Sequence, residues 1–181
     1  PKLFPLETMQ FIMKSISEEL DYFGYEEQKG FYPLREAISK YVKSFGIQAS
    51  PSSILIVSGA LQALQLISIG LLHRKSTVLL EQPSYLYSLH VFQSANIHLS
   101  GIAMDQYGIL PSDLLTCTKY SQKKNILYSI PCFQNPTGIL MSEKRRKEIL
   151  KICEKEQLPI IEDDIYRELW IDEPPPAPLK S

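Results

Sequence analysis

The first part of the chain has its apolar residues spaced for helices. Between residues 8 and 20 they recur on one helical face, at Met9, Ile12, Ile16 and Leu20, which predicts an amphipathic helix. A second helix is predicted from Pro33, because proline is accepted in the first turn of a helix, and Gly46 is expected to end it.

Beyond Gly46 the pattern alternates between short apolar runs and longer helical stretches. The runs predict strands at residues 54–57, 77–80, 97–102, 126–130 and 159–161. The stretches between them predict helices at 60–72, 84–95, 111–117 and 142–156, the last with Ser142 as its N-cap. Residues 54–57 and 78–80 are almost continuously apolar, as expected of strands buried on both faces. The chain is therefore predicted to be an α/β protein with three α/β/α layers and a mostly parallel sheet.

Composition narrows the classes of protein that fit this pattern. The chain has 181 residues, is 44% hydrophobic and carries 19 basic against 20 acidic residues, so it is expected to fold and has no overall positive field for nucleic acid or membranes. The apolar stretch at 60–72 is interrupted by polar residues and is too short to span a bilayer. Three cysteines without a Cys-x-x-Cys spacing favour a reducing, cytoplasmic setting, and three scattered histidines argue against a histidine-based metal site.

The carboxyl ends of the predicted strands are where a ligand is expected in such a sheet. After residue 57 comes Ser58-Gly59-Ala60-Leu61-Gln62, which is either a tight turn or a helix start whose amides face a phosphate. After residue 80 comes Tyr85, either a half-buried core residue or a ring that stacks on a flat ligand.

Two further strand ends carry polar side chains. Asn135 lies between a strand end and Pro136-Thr137-Gly138, a sequence typical of a turn that also holds an amide rigidly. Asp163 and Asp164 leave a buried strand, where carboxylates need a divalent metal or a protonated heterocyclic nitrogen as partner.

Together these strand ends provide the groups needed to hold pyridoxal 5′-phosphate. The helix start at Gly59 would take the phosphate, Tyr85 the ring face, and Asn135 and Tyr166 the phenolic oxygen. Asp163 would pair with the pyridine nitrogen, since a protonated ring withdraws electrons from a carbanion.

The sequence resembles the aspartate-aminotransferase-like, fold-type I pyridoxal-phosphate enzymes. Within them it is most similar to α-aminoadipate-type aminotransferases and to the aminotransferase-like domains of MocR regulators, which belong to the GntR family. The resemblance rests on segments in family order: Tyr25 with Gly30 and Pro33-Leu34-Arg35, residues 58–64, residues 81–85, Asn135-Pro136-Thr137-Gly138, and residues 162–169.

The resemblance implies roles for individual residues. Gly59, Ala60 and Leu61 would bind phosphate, mostly through backbone amides, because Ala60 and Leu61 lack the polar side chains often found there. Tyr85, Asn135, Asp163 and Tyr166 would take the positions already described. Tyr25 matches a tyrosine that reaches the phosphate of a neighbouring subunit, which implies a homodimer.

The resemblance also implies an absence. The lysine that forms the Schiff base with the coenzyme follows a later segment in the family, and Lys180 does not match it, so no catalytic residue is assigned and the chain alone is expected to be inactive or nearly so. The chain begins with proline, and residues 173–178 are rich in proline, so we expect a piece of a longer protein. Its expected parts are an N-terminal helix with a dimer- and cofactor-reaching loop at 1–32, a partial large domain at 33–172 and a linker at 173–181.

Three functions remain open at this point. The first is the coenzyme-binding portion of an aminotransferase that moves an amino group from an amino acid to a 2-oxo acid. The second is the effector-sensing domain of a MocR-type transcription regulator, which would contact nucleic acid only through a further N-terminal domain. The third is a metal-dependent hydrolase built on Asp163 and Asp164, with Glu81 as a further ligand.

Overall fold

The computed structural model describes residues 4–18, 24–72, 76–120 and 124–181. The helices are α1 Leu6–Ser17, α2 Tyr32–Lys43, α3 Ala60–Gly70, α4 Leu86–Ser94, α5 Pro111–Tyr120 and α6 Glu143–Lys155. The strands are β1 Thr77–Gln82, β2 His98–Asp105, β3 Gly108–Ile109, β4 Asn125–Ser129 and β5 Ile160–Glu162. Four of the five predicted strands and all of the predicted helices are confirmed. Leu20, predicted in the first helix, lies outside the described residues.

The strands form one sheet in the order β3-β2-β1-β4-β5. The pairs β1–β2, β1–β4 and β4–β5 are parallel, and only the short β3 pairs antiparallel, with β2. The strands β1, β4 and β5 therefore end at the same edge of the sheet, which brings the loops that follow them together.

Helices cover both faces of the sheet. Leu79 of β1 packs in a cluster with Leu114 of α5 and Ile149 of α6. Its neighbours Val78 and Leu80 point the other way, into a cluster that contains residues of α3 and α4. Alternate side chains of a strand face opposite sides of the sheet, so a continuous apolar run is buried when helices cover both faces. The three-layer α/β/α prediction is confirmed.

The predicted N-cap of the last helix is confirmed. The Ser142 hydroxyl accepts a hydrogen bond from the Arg145 backbone amide at 3.3 Å, which satisfies one of the amides left free at a helix start. One turn in, the buried Arg146 donates to the carbonyls of Met141 and Pro131 at 3.0 and 2.9 Å. These bonds anchor α6 to the loop that follows β4.

The prediction of a strand at residues 54–57 is wrong. The chain is extended at Ile54, with φ −103° and ψ 132°, but it joins no strand of the described sheet. The Ile56 amide instead donates to the Lys29 carbonyl at 3.0 Å, so the segment takes a backbone partner from a loop. Leu55 is 52% exposed, so the expected burial on both faces is absent too.

The two ends of the chain differ in how they contact the rest. Helix α1 buries none of its residues, although it carries the apolar Met9, Ile12 and Ile16. The proline-rich segment near the C-terminus lies against the domain: Arg167 donates to the Pro176 carbonyl at 2.8 Å, and the Leu179 amide donates to the Glu162 carboxylate at 2.8 Å. None of the helices in the described parts of the chain is long and apolar enough to cross a membrane.

Candidate functional site

Asp163 lies immediately after β5 and is 9% exposed. Its backbone amide donates to the Ser129 carbonyl at 2.9 Å, which continues the β4–β5 pairing past the strand and fixes the residue at the sheet edge. The Tyr128 hydroxyl donates to Asp163 Oδ2 at 2.7 Å. Burial raises the pKa of Asp163, while hydrogen bonds from Tyr128 and from the Ile165 backbone amide oppose the rise. No cation pairs with this carboxylate among the residues that the structure describes.

Asn135 and Tyr166 lie side by side, as expected if both bind one oxygen of a ligand. The Asn135 Nδ2 atom donates to the Tyr166 hydroxyl at 3.0 Å. Both side chains are partly buried, so each keeps some exposed surface. The loop after β4 thus brings an amide to a phenol that lies three residues along the chain from Asp163.

A buried pair of side chains, Glu81 and Gln134, lies behind these loops. Glu81 at the end of β1 is 0% exposed and accepts from Ser129 Oγ at 2.5 Å, from the Ile130 amide at 3.0 Å and from Gln134 Nε2 at 3.3 Å. Gln134 Nε2 also donates to the Pro83 carbonyl at 2.9 Å. The pair therefore links the loop after β1 with the loop after β4.

The role of this pair was not found from the sequence, where Glu81 was only a candidate metal ligand. Burial raises the pKa of Glu81, opposed by hydrogen bonds from Ser129, Ile130 and Gln134. A glutamate inside an otherwise buried strand is the sequence signal that partners were needed, since a charged group is rarely fully buried unless it is paired. The partners themselves come from distant parts of the chain.

Tyr85 is the N-cap residue of α4 and is partly buried. It packs against the same cluster as Tyr166, the cluster that contains Tyr128 and Phe92. Beside it, the buried Ser84 hydroxyl has no hydrogen-bond partner among the described residues. An unpartnered buried hydroxyl is uncommon in a folded protein, and this one belongs to the residue before Tyr85.

The start of α3 has the open geometry of an anion site. Gly59, its N-cap residue, has φ 91° and no side chain with which to cap the helix, while the Gln62 side chain accepts from the Ser58 backbone amide at 2.5 Å. A β-carbon added at Gly59 would meet nothing within 4 Å, so there is room for a ligand against the backbone. Ala60 and Leu61 lie in the first turn, where amides lack intrahelical acceptors and the helix dipole favours an anion.

Tyr25 does not join the other predicted site residues. It lies in the loop before α2 and is fully exposed, so it packs against none of them. Its predicted contact with a neighbouring subunit stays a prediction.

The carboxylates proposed as metal ligands are held by other groups. Asp164 forms an ion pair with Arg167, and Asp163 accepts from Tyr128. Across residues 4–18, 24–72, 76–120 and 124–181 there is no group of three or more His, Cys, Asp or Glu side chains arranged to hold a metal ion.

A family model for aminotransferase class I and II matches residues 4–179. The chain belongs to this family. Its fold is that of a truncated α/β large domain of the pyridoxal-phosphate-dependent transferases, as the resemblance implied.

Similar proteins include both a transcriptional regulator and aminotransferases. The uncharacterized HTH-type transcriptional regulator YdfD of Bacillus subtilis (strain 168) is 63% identical over 180 residues, which are 99% of this chain and 37% of YdfD. An archaeal alanine:glyoxylate aminotransferase structure matches with a TM-score of 0.92 and 32% identity over 99% of this chain and 46% of that one.

A third relative is an aminotransferase solved with a phosphopyridoxyl compound. It is LysN, the α-aminoadipate aminotransferase of Thermus thermophilus, complexed with N-(5′-phosphopyridoxyl)-L-leucine, and it matches with a TM-score of 0.88 and 31% identity over 99% of this chain and 45% of LysN. The chain thus spans less than half of each of these three relatives.

Proposed function

We propose that this chain binds pyridoxal 5′-phosphate at the carboxyl edge of its sheet. Asp163 would pair with the pyridine nitrogen, Asn135 and Tyr166 would hold the phenolic oxygen, and Tyr85 would cover the ring. The amides at Gly59, Ala60 and Leu61 would bind the phosphate. When bound, the coenzyme supplies an electron sink for charge that develops at the α-carbon of an amino acid.

The observation that carries this proposal is the Asp163 carboxylate. It is buried and hydrogen-bonded, yet no cation pairs with it among the described residues. Burying an ionised carboxylate is costly unless a positive group compensates it. A protonated pyridine nitrogen supplies that charge, and the adjacent Asn135–Tyr166 pair and the uncapped α3 supply donors for the oxygens of the same ligand.

For the assembled protein we propose amino-group transfer between an amino acid and a 2-oxo acid. Family membership supports this activity. Because the chain spans less than half of each of the three relatives, we propose the activity for the whole protein and not for these 181 residues. We further propose a homodimer in which Tyr25 of one subunit lies at the phosphate of the other. We also propose a cytoplasmic location, which the three free thiols support.

A second function is favoured by one specific comparison. YdfD, the regulator, is 63% identical to this chain, about twice the identity of the aminotransferase structures reported above. In this alternative the assembled protein is a transcription regulator in which the same site binds the coenzyme as part of effector sensing. DNA contact would then depend on a further domain.

Pyridoxamine 5′-phosphate is the probe that tests the site. Unlike pyridoxal phosphate it has no aldehyde, so it does not attach covalently to surface lysines. Isothermal titration of the chain should show saturable binding that is at least about tenfold weaker in Asp163→Asn, as expected for the loss of one charge-assisted hydrogen bond. Asp172→Asn is the matched control, because Asp172 is exposed, and it should leave the affinity unchanged. Pyridoxamine without the phosphate should bind much more weakly if the start of α3 holds the phosphate.

Absence of binding, or binding that Asp163→Asn leaves intact, would contradict the proposed site.

A second experiment, on the full-length protein loaded with pyridoxal phosphate, distinguishes the enzyme from the regulator. Formation of a 2-oxo acid from an added amino acid supports the enzyme. DNA binding that responds to the amino acid, without turnover, supports the regulator.

A further inference from the structure

Tyr128 is a fully buried tyrosine in β4, beneath the proposed site. Its ring packs edge-on against Phe92, with 5.4 Å between the ring centroids. Packing of this kind needs only the ring, and a phenylalanine would serve. The hydroxyl is therefore the informative group, and it lies 2.7 Å from Asp163 Oδ2.

The direction of this hydrogen bond follows from the surroundings. Burial and the negative charge of Asp163 raise the pKa of Tyr128, so the phenol stays protonated and donates. Asp163 accepts, and Tyr128 and the Ile165 backbone amide both lower the pKa of its carboxyl. A carboxylate that accepts a hydrogen bond is favoured in its ionised form, against the effect of burial.

Other ionisable groups near Asp163 do not replace this donor. Glu81, at the end of β1, and Asp164, the next residue, both add negative charge around it. Arg167, four residues along the chain, is paired with Asp164. The Ser88 hydroxyl of α4 donates its one proton to the Tyr85 carbonyl at 2.7 Å, so it is not a donor to Asp163.

We propose that Tyr128 is a positioning residue for the coenzyme: its hydroxyl holds the Asp163 carboxylate ionised and in one orientation for a protonated ring nitrogen. This inference rests on the proposed function, because it concerns the same site. Without the hydroxyl, the effect of burial on Asp163 would be less opposed, and a larger fraction of the carboxyl would be neutral at mildly acidic pH. A neutral carboxyl pairs more weakly with a cationic ring.

The test is a double-mutant cycle with pyridoxamine 5′-phosphate, measured from about pH 5 to about pH 8. Tyr128→Phe should weaken binding about tenfold, the size expected for the loss of one hydrogen bond to a charged group, and move the acid limb of the binding profile up by about one pH unit. In the Asp163→Asn background the same substitution should change the affinity less than about twofold. Titration of the ligand's own phosphate is common to all variants and cancels in the comparison.

Tyr107→Phe is the matched control, because Tyr107 is 51% exposed, and its profile should overlay that of the unmodified chain. A second measurement needs no ligand: a carboxyl carbon NMR titration should show a higher pKa for Asp163 in Tyr128→Phe. Far-UV circular dichroism checks that each variant is folded.

The outcomes separate the two proposals. Suppose that the chain binds the probe through Asp163. If Tyr128→Phe then weakens binding by the same factor with and without Asp163, or leaves the pKa of Asp163 unchanged, the positioning role is wrong and the proposed function stands. If the chain does not bind the probe, or Asp163→Asn has no effect, the proposed function is wrong and the inference fails with it.

Discussion

Gln134→Ala tests whether one buried side chain holds the two site loops together. The substitution removes the hydrogen bonds from Nε2 to the Glu81 carboxylate at 3.3 Å and to the Pro83 carbonyl at 2.9 Å. It also removes the acceptor of the Thr137 amide and hydroxyl. Thr137 is exposed, so water replaces that acceptor at little cost.

The two hydrogen bonds from Gln134 Nε2 therefore decide the magnitude of the destabilisation. A hydrogen bond to a charged group contributes roughly 1.5–3 kcal/mol and one to a carbonyl about 1 kcal/mol, so the free energy of unfolding should fall by about 3 kcal/mol. Glu81 is left with the Ser129 and Ile130 donors, which limits the loss to this range. Because Asn135 follows Gln134 directly, the affinity for pyridoxamine 5′-phosphate should fall as well.

Urea denaturation followed by Trp170 fluorescence measures the loss. Gln93→Ala is the matched control: Gln93 is exposed on α4, and its removal should change stability by less than about 0.5 kcal/mol. If Gln134→Ala destabilises the chain by less than about 1 kcal/mol, the size of a single ordinary hydrogen bond, or leaves the affinity for the probe unchanged, the Glu81–Gln134 pair does not hold the loops.

Two further predictions concern the pH dependence of stability and the backbone before α2. Burial raises the pKa of Glu81 in the folded chain above its value of about 4.3 in the unfolded chain. The stability that the protonated Glu81 contributes is therefore fully present below about pH 4.3 and is lost as the pH rises through the pKa of the folded chain. Glu81→Gln has no proton to lose, and its free energy of unfolding should fall less than that of the unmodified chain from about pH 4.5 to about pH 7.5; parallel curves would mean that Glu81 is not buried as described. Gly30→Ala should cost at least about 2 kcal/mol, because Gly30 has φ 91° and a β-carbon there would lie 2.6 Å from Ile56 Cβ. Gly70→Ala, in open space at the end of α3, should be neutral or stabilising in the same thermal or urea melts, and equal losses in the two variants would contradict the reasoning.

Local patterns were enough to predict most of the fold. Val78, Leu79 and Leu80 are continuously apolar because strand neighbours face opposite layers, and the sheet buries both. Ser142 could be identified as a cap because its hydroxyl serves an amide only three residues away. The strand prediction at residues 54–57 is wrong, because an apolar run indicates an extended chain but not the partner of its backbone amides. The Ile56 amide donates to the Lys29 carbonyl and not to a neighbouring strand.

The candidate site also has a part that the sequence predicts and a part that only the folded chain shows. Local patterns in the sequence predict Tyr85, Asn135, Asp163 and Tyr166 as candidate site residues, because each follows a strand end that those patterns reveal. What surrounds these residues came from the folded chain: Glu81 meets Gln134 across 53 positions, and Tyr128 meets Asp163 across 35. The physical reason is that such partners are set by the parallel register of β1, β4 and β5, and no local pattern encodes which strands lie side by side.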